Sequence, residues 1–208
     1  CMKGESELIM GESMQWMIKI CQKMNAVVCG SLIINVKGKR YNRFIWMNPD
    51  SSFEYYNKRH LFSLLEEENY FIPGQERKII SYKGWNIFPQ ICYDLRFPVF
   101  SRNNKGYDLL LYVANWPQAR ISAWDKLLQA RAIENQSYTV GVNRVGKDSQ
   151  GIVFSGHSAV YDALGDSCVF LGTQEKVETV TLEKSKQEGI RKKYPQEKQK
   201  QKNDNTTS

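Results

Sequence analysis

The chain has 208 residues, 41% hydrophobic, 25% charged and 12% aromatic, which is enough for one sizeable core and too aromatic for a disordered protein. It contains no run of about 18 apolar residues, so no transmembrane helix is expected, and no readable secretion signal, so a cytoplasmic location is expected. The formal net charge is +7, but residues 183–208 hold eight basic against four acidic residues and leave +3 for the rest; with no nucleic-acid motif beside it, this charge reads as a solvated end.

Met14, Met17, Cys21 and Met24 recur at spacings of three and four and predict an amphipathic helix whose apolar stripe faces a sheet. Ala26–Val36 is a buried strand, the turn Lys37-Gly38-Lys39-Arg40 leads to a second around Arg43–Met47, and Phe53–Lys58 is a third. Residues 61–74 carry the acidic run Glu66-Glu67-Glu68 and close at Pro73-Gly74, as a loop does. Lys78–Tyr82 and Asn86–Ile91 flank the turn Lys83-Gly84, and the nearly all-apolar Asp108–Ala114 is a strand covered on both faces.

A helical stripe then runs through Ala119–Gln136. Tyr138–Val145 is a strand, Gly146–Gly151 a turn, and Ser158–Asp162 and Cys168–Leu171 are strands. Lys176–Leu182 completes the sheet material before a short helix. Strands interleaved with long helices indicate an α/β or α+β layered domain, expected over residues 1–194, with a polar, disordered tail over 195–208.

The five cysteines, Cys1, Cys21, Cys29, Cys92 and Cys168, form no Cys-x-x-Cys pair, and His60 and His157 stand far apart, so no metal site and no cofactor are expected. An odd count of thiols reads as reduced cysteines, mostly small buried hydrophobes. Cys92 differs because it follows a strand and opens the turn Tyr93-Asp94-Leu95-Arg96-Phe97-Pro98. A nucleophile there is exposed at a sheet edge beside backbone N–H groups, and a nearby cation would lower its pKa. A buried thiol at a strand end is the alternative. Lys58 leaves its strand inside the basic, aromatic run Tyr56-Asn57-Lys58-Arg59-His60-Leu61-Phe62; a solvated lysine is the alternative there.

NKRHLF at 57–62, CYDLRFPVFSRN at 92–103, YDLLLYVANWP at 107–117, ARAIENQ at 130–136 and GVNRVG at 141–146 together resemble the nitrilase or carbon–nitrogen hydrolase superfamily. Within it they are most similar to omega-amidases. The resemblance implies an α-β-β-α sandwich and a small-molecule amide substrate, such as 2-oxoglutaramate or 2-oxosuccinamate. It implies no membrane or nucleic-acid partner, and a homodimer.

By the same resemblance Cys92 is the nucleophile, and Lys58 stabilises the oxyanion together with the N–H of Tyr93. Glu67, with Glu66 as the alternative in the same acidic run, supports the site. Arg96 would grip a substrate carboxylate, with a structural ion pair as the alternative reading. Asn115 and Trp116 form the pocket wall, and Glu134 is a buried structural partner.

The resemblance also implies a general-base glutamate roughly 65 residues before the lysine, at the end of a strand. Counting back from Lys58 passes Cys1, and Glu5, Glu7 and Glu12 precede or open a helix rather than end a strand. The first strand and helix of the sandwich are therefore expected to be missing, and the 208-residue chain to have little or no amidase activity. Another amidase of the superfamily, such as one acting on deaminated glutathione, an inactive scaffold and a Cys–His protease are the competing readings.

Overall fold

The structure, a computed structural model, describes residues 6–195. The tail expected from Gln196 onward lies outside the described residues, as does Glu5. In chain order come β1 (Glu7–Leu8), α1 (Glu12–Met24), β2 (Val28–Val36), β3 (Lys39–Met47), β4 (Phe53–Asn57), β5 (Ile80–Tyr82) and β6 (Trp85–Ile91). The short α2 (Pro98–Ser101), β7 (Leu109–Ala114), α3 (Ile121–Asn135) and β8 (Tyr138–Asn143) follow. The hairpin β9 (Val145–Lys147) and β10 (Val153–Ser155), then β11 (Ala159–Tyr161), β12 (Ser167–Phe170) and α4 (Lys184–Lys193), complete the described chain.

Among the described residues two large sheets form, ordered β1-β2-β3-β4 and β12-β11-β8-β7-β6-β5, beside the two-stranded β9–β10 sheet. Strand alternation stacks them. In β3, Phe44 and Trp46 pack against Ile87, Ile91 and Leu111 of the other sheet, while Ile45 and Met47 turn the opposite way onto Met14, Met17 and Cys21 of α1. In β7, Leu111 faces the sheet–sheet core, and Leu110 and Tyr112 face Trp124, Leu128 and Ala132 of α3. A period of two, applied to strands buried on both sides, thus gives four layers: helix, sheet, sheet, helix. The expected α-β-β-α sandwich is the fold.

Strands β6, β7 and β8 run parallel, with Ile91 beside Val113 and Ala114 beside Asn143. Their carboxyl ends therefore share one edge, and Cys92 and Asn115 leave the sheet side by side. Open α/β sheets place ligands at such an edge. Strand β4, ending at Asn57, delivers Lys58 from the facing sheet.

Three expectations differ from the structure. Lys176–Leu182 is not a strand; it runs as irregular chain with Val177 93% exposed, because its apolar residues find no layer to cover. The turn expected at Gly146–Gly151 is the tip of the β9–β10 hairpin, whose second strand has only three residues. Glu7, expected to precede a helix outside any strand, pairs with Ile34 in β1. Its carboxylate accepts the Ser13 N–H (2.9 Å) at the start of α1.

Candidate active site

Ile91 closes β6 in extended conformation, and Cys92 then turns sharply into the left-handed region at φ +47. For a residue with a β-carbon this costs about 1–3 kcal/mol and needs surrounding structure to hold it. Asp94, fully buried, supplies that hold. One of its oxygens accepts the Ile91 N–H (3.0 Å) and the Tyr56 hydroxyl (2.8 Å). The other accepts the His60 N–H (3.0 Å) and lies 2.8 Å from the His60 ring nitrogen Nδ1. The Tyr56 hydroxyl in turn accepts the Arg59 N–H at 2.9 Å. A single carboxylate thus ties the turn that carries Cys92 to the loop that carries Lys58.

Lys58 is 2% exposed and its Nζ lies 2.6 Å from Oε2 of Glu67. The same oxygen accepts the Phe62 N–H at 2.9 Å. The acidic run is resolved by this contact: Glu67 turns inward as a 3-10 turn begins, whereas Glu66 is a left-handed cap residue. Behind Lys58, Gly74 donates its N–H to the lysine carbonyl (2.8 Å). A β-carbon on Gly74 would collide with the Asn57 backbone, so only glycine fits.

Lys58, Glu67, Cys92, Tyr93, Asn115 and Trp116 all line one cavity of about 290 Å³. Cys92 Sγ lies 4.0 Å from the Asn115 carbonyl oxygen. Trp116 is fixed by Asn143, whose side chain accepts the Trp116 N–H (2.7 Å) and donates to its carbonyl (3.1 Å). Phe62 and Tyr93 pack ring on ring at 4.7 Å, joining the lysine loop to the cysteine turn inside the cavity.

The thiol is not activated in the manner expected. Burial raises the Cys92 pKa above 9.0, and Glu67 and Asp94 push it the same way; Lys58 pulls it down without overcoming them. The cation that was to lower the pKa is already paired with a carboxylate 2.6 Å away.

Arg96 is placed differently from its expected role. It is exposed and absent from the cavity lining, with its guanidinium 5.7 Å from the Trp116 ring centroid. The arginine in the lining is Arg120, 4.4 Å over the Phe62 ring and 5.8 Å from Trp116. Glu134 is exposed rather than buried, yet it pairs with the buried Arg131 (2.8 Å), which donates to the Leu95 carbonyl of the cysteine turn (2.7 Å). His60 stacks on Phe97 at 3.7 Å and His157 lies 3.0 Å from Asp125. Sequence reasoning left Asp94, Arg120 and Asn143 without roles. For Asp94 the available signal was an acid two residues past a cysteine, inside an otherwise apolar turn.

A carbon–nitrogen hydrolase family model matches residues 4–192. Omega-amidase YafV of Yersinia enterocolitica is 47% identical over 163 residues, covering 78% of this chain and 64% of that protein. The 2-oxoglutaramate amidase of Bacillus subtilis (strain 168) is 31% identical over 190 residues, covering 89% of this chain and 73% of that protein. The chain thus spans less than two thirds of the length of the Yersinia protein it matches. Among solved structures, a CN-hydrolase superfamily protein from Xanthomonas campestris superposes with a TM-score of 0.89 at 40% identity. That alignment covers 91% of this chain and 75% of that one.

Proposed function

The chain belongs to the carbon–nitrogen hydrolase family, and from that premise we propose that it is built to cleave the terminal amide of short 2-oxo dicarboxylic acid monoamides. 2-Oxoglutaramate and 2-oxosuccinamate are the substrates this reading names, and the products are the acid and ammonia. The observation that carries it is the strained Cys92 turn facing the buried Lys58–Glu67 pair within one small cavity. That the relatives above are named omega-amidase and 2-oxoglutaramate amidase supports the substrate class.

In this reading Cys92 Sγ attacks the amide carbonyl carbon as a thiolate. The oxyanion that forms is met by Lys58 Nζ and the N–H of Tyr93, donors fixed before the reaction begins. The C–N bond breaks, ammonia leaves with the proton given up by the thiol, and a thioester remains on Cys92 until water hydrolyses it. Glu67 keeps Lys58 in place rather than moving a proton itself.

A group that takes the thiol proton and later activates water must have a free lone pair at the reacting atoms. Among the described residues the carboxylates lining the cavity are Glu67 and Asp148. Glu67 is held against Lys58 and the Phe62 N–H through Oε2, and Asp148 is tied into its own turn through Oδ1; neither hydrogen-bonds Cys92 Sγ, whose contact is the Asn115 carbonyl oxygen. The 208-residue chain is therefore expected to turn over 2-oxoglutaramate far below the ordinary enzymatic range of about 1–1,000 s⁻¹. Ammonia release within that range would overturn the expectation. Mapping of iodoacetamide adducts tests the cysteine itself: Cys92, which lines the cavity, is expected to label ahead of the buried Cys21 and of Cys29, whose thiol burial pushes up to about 12, and uniform slow labelling of the three would sink the nucleophile assignment in favour of an inactive scaffold.

A further inference from the structure

We infer that Arg120 is the residue that holds the carboxylate of the substrate, and so makes this cavity selective for amides carrying a second, anionic end. The inference rests on the amidase reading above and adds the residue that would choose among amides.

Among the described residues two cations line the cavity, Lys58 and Arg120. Lys58 is paired with Glu67 at 2.6 Å. Arg120 lies between aromatic faces, 4.4 Å from the Phe62 centroid and 5.8 Å from that of Trp116, and among the described residues its guanidinium has no carboxylate or carbonyl acceptor. Stacking of this kind fixes the plane of the guanidinium while leaving its N–H edge open, which suits bidentate recognition of a carboxylate. Its backbone is anchored at both ends: the Arg120 N–H donates to Pro117 O (3.0 Å), and the Trp116 indole N–H donates to Arg120 O (2.8 Å).

The rest of the wall makes the assignment specific. Leu65, Phe71, Ile152 and Phe154 offer a bound anion nothing, Ser31, Asn42 and Asn115 are neutral, and the Asp148 carboxylate repels it, so with Lys58 paired, Arg120 is the cation that would compensate a second negative charge. A cavity of about 290 Å³ suits a small acid. One ring, Phe62, touches both Tyr93, the neighbour of the nucleophile, and Arg120. An amide carbonyl at Cys92 therefore leaves a short acid's carboxylate directed at Arg120. Arg96, which touches the same Trp116 indole while exposed outside the cavity, lacks that access.

The test is calorimetric titration of the 208-residue chain with 2-oxoglutarate, a dicarboxylate that occupies the site without being hydrolysed. The parent is expected to bind it at least tenfold more tightly than its uncharged dimethyl ester. Arg120→Gln should lose at least tenfold toward 2-oxoglutarate, Arg120→Lys should recover part of that loss, and Arg96→Gln should stay within twofold of the parent. No binding by the parent, equal binding of acid and ester, or a loss that follows Arg96 instead of Arg120 would each overturn the assignment. The comparison of acid with ester needs no variant, so it stands even if Arg120→Gln folds poorly. Iodoacetamide labelling of Cys92, run on the same samples, separates the two readings. Preferential labelling with binding indifferent to Arg120 would defeat this inference alone, whereas Arg120-dependent binding with an unreactive Cys92 would defeat the amidase reading.

Discussion

Lys58 and Glu67 place opposite charges 2.6 Å apart at a site almost closed to solvent, and the thiol beside them feels both. Alkylation follows the thiolate, so its rate at Cys92 should rise with pH toward a midpoint above 9.0, the ordinary thiol value. The two partners move that midpoint in opposite directions. Lys58→Met removes the influence that lowers the thiol pKa and should raise the midpoint; Glu67→Gln removes one that raises it and should lower the midpoint. The pH–rate profile of iodoacetamide labelling, read at the Cys92 peptide, checks both signs, and unmoved midpoints would show that neither charge reaches the sulfur. Lys58→Met should also destabilise the fold by about 3–5 kcal/mol, since Glu67 would be left buried without its counter-charge. The positions of Cys92 and Lys58 were legible in the sequence, 34 residues apart within recognisable runs. The raised thiol pKa was not, because burial is set by residues far along the chain.

Among the elements, the strands were the most legible, since apolar residues on both faces of β3 and β7 mark layers above and below. Close approach between elements was less so. Gly141 in β8 lies where a β-carbon would sit 2.8 Å from the Trp124 ring and closer still to Leu128, so α3 packs directly on bare backbone. Gly141→Ala should cost about 1–3 kcal/mol by overpacking that contact, measurable as a lower denaturation midpoint with an unchanged slope; a midpoint equal to the parent's would show that the helix can move aside. The β9–β10 hairpin escaped notice because its strands are three residues each, too short to show alternation. Lys176–Leu182 misled in the reverse sense: Val177, Thr179, Val180 and Thr181 are β-branched like strand residues, yet among the described residues the segment pairs with no strand. Arg120 was hidden for a related reason. It ends a 3-10 turn at the entrance to α3, and which way such a turn aims a side chain depends on the wall it meets.

At the scale of the whole molecule, the two ends of the described chain are held unequally. Helix α1 buries Met14, Met17 and Cys21 in an apolar cluster, whereas the buried residue of α4 is Gln187. That helix is fastened by polar contacts converging on one buried segment. The Asp108 side chain meets Lys184 (3.0 Å) and Arg191 (3.2 Å), and its carbonyl accepts from Gln187 (2.7 Å). Asp108→Ala should therefore release α4 while the sheets persist, seen as lost hydrogen-exchange protection over residues 188–191 with β7 unchanged. Protection lost equally across both would show that α4 is part of the cooperative core. The sandwich could be read from the sequence because its layers repeat a simple period; this clamp could not, since it joins residues 76 to 83 positions apart by ion pairs and a hydrogen bond. The Asp94 carboxylate has the same bridging character at the reactive end, and there it governs how the site fails. The nucleophile turn and the lysine loop share that carboxylate, so any change that displaces it withdraws support from the cysteine and from the lysine together, and the two halves of the constellation are exposed to a common point of damage.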